Sequence, residues 1–590
     1  MNKLVQASLA IALMGGTALT PAWGQDVRRF APQTGGNGAP AVLKGPDIPP
    51  GMEDAKPLVK NLRGVVIVGK PTLVRKTGTT GDGVAVRDPG VVMPEGALAA
   101  IKAHIGKPVS LKSLGAMSRE IVLAFRDADL PVVNVAAPEQ DISNGVLQLI
   151  VVVGRLGDVR VEGNQYFPAE VYLDKFSSTP GQVIDGGRML DDLRHMNRNP
   201  FRRVDAVYAP GQGFGMTDVA LRPTEYRPFA VFAGYNNDGN TALGIHRVNL
   251  GFMVGNMLGL DEVLAYQVTT TKDFKNLYAH VASAQFPLAN RAELQITGAL
   301  VTSDVQVNPD VHSSGGSKQL SAHYVKQLPR FLGWSHDGKL GVEYKETNNN
   351  LEFGGNTVSD KKAEVYQLVA GWSGEMVTRF GHTRAHVNTY FSPGNISNLN
   401  SVGNFDDLRK GAESRYAYAR FGLDHRIDTQ SDWRVNLSLA GQIANQNLLA
   451  SESFTLGGQG SVRGFETNLS RGDNGFTANM TVYTPGIALV GPFQRKDWAG
   501  AAFRRGKGEP PVETVHDQLR AFAFIDYGWA SSHTNLQDEV NRSLAGTGVG
   551  LAYEVGRHTS VELAYGWQIL EKGIKDSSSG FLHLRGTQRF

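Results

Sequence analysis

From about residue 227 to the end of the chain, apolar and polar residues alternate over segments of about ten residues separated by turn-rich stretches. Trp433, Val435, Leu437 and Leu439 alternate with Arg434, Asn436, Ser438 and Ala440. Val561, Leu563, Tyr565, Trp567 and Ile569 alternate with Glu562, Ala564, Gly566 and Gln568. Successive side chains of a strand point to opposite faces, so each segment has one face suited to lipid and one suited to water. Sixteen such segments can be drawn between 229–235 and 580–590, among them 317–327, 337–345 and 364–374. An even count closes an antiparallel sheet, and the residues from 227 to 590 allow each strand a span of about ten residues plus its connection. Trp433, Trp529 and Trp567 fall near strand ends, where an interfacial aromatic belt is expected.

Residues 61–226 have a different period. Val65-Val66-Ile67-Val68 reads as a strand and 94–105 as a helix. In the helix that follows, Leu111, Leu114, Met117, Ile121, Val122 and Phe125 share one apolar face. Strands at 132–135 and 146–153 complete a small α+β unit over 61–154. The order then recurs over 155–226, with a strand at 159–161, helices at 168–176 and 187–196, and strands at 204–208 and 217–221. Residues 25–60 hold six prolines and read as a flexible leader. Residues 1–24 carry a positive Lys3, an apolar stretch and the small-x-small site Ala22-Trp23-Gly24, the pattern of a secretory signal.

Composition narrows the choice. Beyond the signal no apolar run approaches the ~18 residues of a membrane helix, so a spanning chain must be a closed barrel. With no cysteine in the chain, thiolate metal sites, thiol nucleophiles and disulfides are excluded. A net charge of +3 provides no field to recruit nucleic acid, which is not expected as a partner. The sequence holds no H-E-x-x-H, no G-x-x-x-x-G-K-(S/T) and no nucleophile elbow, so no catalytic residue, metal or cofactor is expected. The alternate glycines 546, 548 and 550 suit a close-packed barrel wall rather than a phosphate loop.

Two motifs are specific. Leu456-Gly457-Gly458-Gln459-Gly460-Ser461-Val462-Arg463-Gly464-Phe465 resembles the VRG(Y/F) loop of the superfamily of outer-membrane insertases and two-partner secretion transporters, and Phe524-Ile525-Asp526-Tyr527-Gly528 resembles its F-x-D-x-G strand motif. The resemblance implies that the loop before strand twelve folds into the lumen and that Arg463 pairs with Asp526 of strand thirteen. Alternation places Asp526 on one face with Arg520, Phe522 and Phe524, opposite Ala521, Ala523 and Ile525. The last strand stops on Phe590, which resembles the terminal signal read by the barrel-assembly machinery.

The two α+β units resemble polypeptide-transport-associated (POTRA) domains, in wording close to the two-partner secretion branch. Pro138-Glu139-Gln140-Asp141-Ile142-Ser143-Asn144-Gly145-Val146-Leu147 and Asn199-Pro200-Phe201-Arg202-Arg203-Val204 carry that likeness. It implies an all-β, sixteen-stranded antiparallel transmembrane barrel in the outer membrane of a Gram-negative bacterium, preceded by two periplasmic POTRA domains. Its partners would be outer-membrane lipid, the assembly machinery during biogenesis, and a secreted exoprotein with an N-terminal two-partner secretion domain. The implied role is a transporter of the haemolysin secretion/activation type that captures an unfolded adhesin- or haemolysin-type client and passes it outward. The alternatives are a general barrel insertase, which usually carries more POTRA domains, and a barrel enzyme such as a phospholipase, which lacks a supporting motif here. Two features depart from the family pattern. Residues 25–60 show no amphipathic plug helix, and Asn479-Met480-Thr481-Val482 stands where a Glu-Leu pair is usual. The connection at 485–517 is also long and basic for a periplasmic turn.

Overall fold

The computed structural model describes residues 54–590, apart from 242, 309–310, 354–355, 379, 497–511, 536–540 and 573–578. The expected signal at 1–24 and the leader up to residue 53 lie outside the described residues. The chain divides in sequence between Tyr226 and Arg227 into two compact units.

The first unit begins with β1 (Gly64–Val68), β2 (Gly83–Val86), helices α1 (Glu95–Lys102) and α2 (Leu111–Asp127), β3 (Val133–Ala136) and β4 (Val146–Val153). The strands form one sheet in the order β2-β1-β4-β3. Helix α2 starts at a capping box, in which Ser110 Oγ accepts from the Ser113 N–H and Ser113 Oγ accepts from the Ser110 N–H. Its residues Met117, Ile121 and Phe125 recur every fourth position and bury one stripe against Val65, Ile67 and Leu149 of the sheet. Strand β2 was not legible in the sequence: it is four residues long and starts at Gly83, which has φ 74°. Residues 54–60, expected to be flexible leader, are instead tied to this sheet-and-helix layer. The Leu58 N–H donates to Val109 O at 2.7 Å, and the Lys112 N–H to Asp54 O at 2.9 Å. Their backbone groups find partners at the start of α2 despite the prolines nearby.

A second layer follows, with β5 (Arg155–Val161), α3 (Glu170–Leu173), α4 (Gly186–Met196), β6 (Arg202–Pro210) and β7 (Met216–Glu225). The sheet order is β5-β7-β6, with β5 parallel and β6 antiparallel to β7. Helix α3 is a single turn, shorter than the helix expected over 168–176.

From residue 229 the chain builds a closed barrel. Its first eight strands are β8 (Phe229–Asn236), β9 (Arg247–Gly255), β10 (Val263–Thr271), β11 (Leu277–Leu288), β12 (Ala292–Asn308), β13 (Val311–Phe331), β14 (Trp334–Phe353) and β15 (Asn356–Thr378). Next come β16 (Gly381–Pro393), helix α5 (Val402–Leu408), β17 (Arg415–Asp428), β18 (Arg434–Ala444), and a short pair made of β19 (Phe454–Leu456) and β20 (Ser470–Gly472). After β21 (Asn474–Tyr483) a second short pair, β22 (Phe493–Lys496) with β23 (Val512–Val515), precedes β24 (Asp517–Ser531), β25 (Arg542–Val555), β26 (Thr559–Lys572) and β27 (Gly580–Arg589). Without the two short pairs this makes the sixteen antiparallel strands read from the sequence, closed by β27 on β8. No helix among the described residues is long and apolar enough to cross a membrane.

The alternation has the expected geometric result. On β24 the even residues Arg520, Phe522, Phe524 and Asp526 are buried, while Ala521, Ala523, Ile525 and Tyr527 face outward. The outward faces of β26 and β27 carry Val561, Leu563, Trp567 and Leu582, all exposed, an apolar band on the outside of the barrel. Strands β13, β14 and β15 are 21, 20 and 23 residues long, about twice the lengths drawn from the sequence. Their added parts include Gly315-Gly316 and Asn348-Asn349, outside the segments drawn from the sequence, yet Gly315 faces Asn349 and Gly316 faces Asn348 in the ladder. Strand pairing is made by backbone groups, and neighbouring strands carry it past the apolar span whatever the side chains.

Strand β8 begins and β27 ends at one rim, called here the near rim; the connections 394–414, 445–473 and 532–541 belong to the far rim. At the closing seam the Phe590 N–H donates to Val231 O at 2.8 Å, and Asn237 Oδ1 accepts from the Leu584 N–H at 2.7 Å. The long near-rim connection after β21 is held by Asp517, whose carboxylate accepts the N–H groups of Leu489, Val490 and Gly491.

Candidate functional site: a loop locked inside the barrel

The connection between β18 and β21 leaves the far rim and runs into the lumen. Its stem is the β19–β20 pair, and its tip is shaped by glycines, of which Gly464 has φ 97°, a conformation that residues with a Cβ seldom adopt. Val462 and Phe465 are fully buried with Leu456, Ala530 and Leu544, so two residues of the tip are fastened by apolar packing against β24 and β25.

Between them Arg463 meets the barrel wall. Its Nε donates to Asp526 Oδ2 at 2.7 Å and its guanidinium NH2 to Asp526 Oδ1 at 2.8 Å, a bidentate fork. The backbone N–H of Arg463 adds a third bond to Asp526 Oδ2 at 3.0 Å. The guanidinium carbon lies 3.7 Å from the centroid of the Phe524 ring, within cation–π range. Asp526 is fully buried and Arg463 nearly so, which sets the pair apart from a surface ion pair screened by water. The structure thus brings Arg463 and Asp526 together and gives the other motif positions a place. Phe524 is the platform beneath the guanidinium. Gly528 leaves room for Leu456 and Val462, each of which would stand 2.8 Å from a Cβ there. Phe590 stands apart, at the seam.

Several contacts were missed in the sequence. Thr481 Oγ1 accepts from the Arg463 NH2 at 2.9 Å, and Asn479 Nδ2 donates to Ser461 O at 2.5 Å. Both lie in the stretch that departs from the family pattern, and both still hold the loop. His583 Nε2 accepts from the Gly464 N–H at 3.0 Å, which fixes the proton of the neutral ring on Nδ1, and Gln568 Nε2 donates to Gly464 O at 3.0 Å. A Cβ on Gly546 would overlap the carbonyl oxygen of Arg463, and one on Gly566 would overlap the backbone of Gly464. The alternation of Gly546 was visible in the sequence; that it makes room for the loop was not.

The root of the loop has its own anchor on another wall. Glu452, fully buried, accepts from Lys345 Nζ of β14 at 2.8 Å, from Gln367 Nε2 of β15 at 2.9 Å and from the Tyr418 hydroxyl of β17 at 2.6 Å. Its backbone carbonyl accepts from Arg420 and Gln442. The loop therefore spans the lumen, fixed near its root to β14–β18 and at its tip to β21–β27. Lys345→Ala would leave the Glu452 carboxylate without its ammonium, and breaking a buried pair from one side costs about 3–5 kcal/mol. The variant is expected to lose its heat-modifiable gel mobility at a lower temperature than the parent.

Residues 215–496 match the family model described as haemolysin secretion/activation protein ShlB/FhaC/HecB, a stretch that contains Arg463 and stops before Asp526. Among curated proteins, the chain is similar to the heme/hemopexin transporter protein HuxB of Haemophilus influenzae, 22% identical over 395 residues, covering 64% of this chain and 66% of that one. It is also similar to the outer membrane transporter CdiB-2 of Burkholderia pseudomallei, 24% identical over 401 residues, covering 65% and 66%. The chain thus spans just under two thirds of the length of these relatives. Among solved structures, CdiB from Escherichia coli superposes with a TM-score of 0.65 at 17% identity, covering 100% of this chain and 98% of that one, which establishes a shared fold.

Proposed function

We infer that this chain, a relative of the haemolysin secretion/activation proteins over residues 215–496, is an outer-membrane transporter of two-partner secretion and has no enzymatic activity. The near rim then faces the periplasm, the two α+β layers are POTRA domains, and the far rim faces the cell exterior. The observation that carries this reading is the Arg463–Asp526 fork inside the lumen, with Phe524 and Gly528 serving the same contact. An ordinary porin needs no such lock, whereas a protein-conducting barrel needs a closure that stays shut until a client arrives.

The client is an unfolded exoprotein. Strands β3 and β6 stand at sheet edges. An edge presents unpaired N–H and C=O groups to which an extended segment can add as a strand, with main-chain bonds supplying affinity. No nucleotide drives the passage; folding of the client outside makes it irreversible. Barrel-assembly machinery would insert the transporter during biogenesis.

A deletion strain compared with its parent by proteomics of the culture supernatant and the outer membrane tests this reading. The expected result is loss of one large exoprotein with the other barrel proteins unchanged. Depletion of many barrel proteins would make the chain an assembly factor instead.

A further inference from the structure

The Arg463 loop is not the sole far-rim connection packed on the inner wall. The connection 394–414, which carries α5, turns inward at the far rim and packs against the inner faces of β15–β18. Phe405 of α5 is fully buried against Val365, Tyr390, Tyr416 and Tyr418 of the inner wall, and Leu448 joins the same cluster from the root of the Arg463 loop. Tyr390 stacks on Tyr418 at 4.6 Å between centroids.

The same wall is wet closer to the near rim. In the β16–β17 ladder His382 faces Arg426, Arg384 faces Asp424, His386 faces Gly422 and Tyr390 faces Tyr418, so these residues share the inward face. Arg384, His386, Asp424 and Arg426 are exposed, whereas Tyr390 and Tyr418 are buried. A strip of charged and polar side chains open to water thus rises from the near rim and ends abruptly beneath the α5 cap.

One carboxylate latches the cap. Arg409, just after α5, donates from NH1 to Asp473 Oδ1 at 2.5 Å and from NH2 to Asp473 Oδ2 at 3.0 Å. Asp473 is fully buried and also accepts the N–H of Leu448 at 2.9 Å and of His533 at 2.9 Å. A single side chain therefore ties together the far-rim connections 394–414, 445–473 and 532–541.

We propose that the α5 segment is an outer gate of the pore, separate from the Arg463 tip, with Arg409–Asp473 as its latch and the polar strip of β16 and β17 as the surface along which an extended client approaches it. The proposal rests on the transporter reading above for its client, but not for its closure. An extended polypeptide, which carries a backbone donor and acceptor at nearly every residue, suits a wall of charged and polar side chains better than an apolar one. It can leave along that wall when Phe405 is lifted out.

Two measurements on the full-length protein test this. In planar bilayers without any client, Arg409→Ala and, independently, Phe405→Ala should raise the frequency and size of open conductance steps over the parent. For the second measurement, the chain has no cysteine, and Ala412 of the cap and Asn447 of the loop root form an isolated parallel β-bridge. Such partners lie within disulfide reach, so A412C/N447C should lock the cap when oxidised. Secretion should be lost under oxidation and restored by reductant in the same variant, with the barrel heat-modifiable in both states. Latch variants that conduct like the parent, or an oxidised lock that secretes like its reduced form, would overturn the gate. Absence of any exoprotein client would refute the transporter reading, and the conductance result would still decide the gate.

Discussion

On the proposed transporter function, replacing Arg463 by alanine is expected to abolish secretion of the client while leaving a folded barrel in the outer membrane. Asp526 would then lie in the wall with no exposed surface and no guanidinium, and truncating one partner of a buried pair costs about 3–5 kcal/mol. That cost falls on the docked state of the loop, because undocking lets lumen water reach the carboxylate. The barrel itself does not depend on the pair: β21 and β24 are joined by a ladder from Asn474↔Ser531 to Tyr483↔Phe522 that the substitution leaves intact. A lysine at 463 should fail nearly as badly, since it offers a point charge where the site is built for a fork held over the Phe524 ring. Secretion into the supernatant, read beside heat-modifiable mobility of the barrel, checks both statements. Wild-type secretion by Arg463→Ala would remove the motif from the mechanism.

The reasons this site could be anticipated are local. A period of two decides which face of β24 carries Asp526, and that face holds however far the strand extends. The glycines around Arg463 mark a shaped turn rather than a loop that wanders. What lay hidden depends on chain closure and on the loop's path. Lys345 and Glu452 are 107 residues apart, and nothing near either one signals the other. His583 reads as one polar residue on an alternating strand, and its bond to Gly464 exists because the last strand returns beside the first and its neighbours face the loop tip. The lengths of β13–β15 were misjudged for a related reason. Apolar content reports where lipid lies, whereas pairing continues into water as long as a partner strand does. The α5 cap left no trace in the periodicity, because its seven residues fall below what a helical pattern can resolve.

Filling the space beneath the loop should be as damaging as removing its charge. In Gly566→Val every residue of both motifs remains, yet the new side chain occupies the position of the Gly464 backbone, which docks directly on Gly566. Backbone cannot rotate away as a flexible side chain can, so the tip must lift and break the Arg463 fork. The expected result is loss of secretion with an assembled barrel, and a loop that proteases added outside the cell now cleave. Gly546→Ala should act in the same direction through the carbonyl of Arg463. Gly298→Ala is the control, because no atom lies within 4 Å of a Cβ there, and secretion should be unchanged. Since Gly566→Val and Arg463→Ala release the same contact, the double variant should be no worse than either single one; sites sharing one interaction do not add. Additive losses would mean that Gly566 supports the barrel wall itself, and the lock would then have to be sought in Arg463 and Asp526 alone.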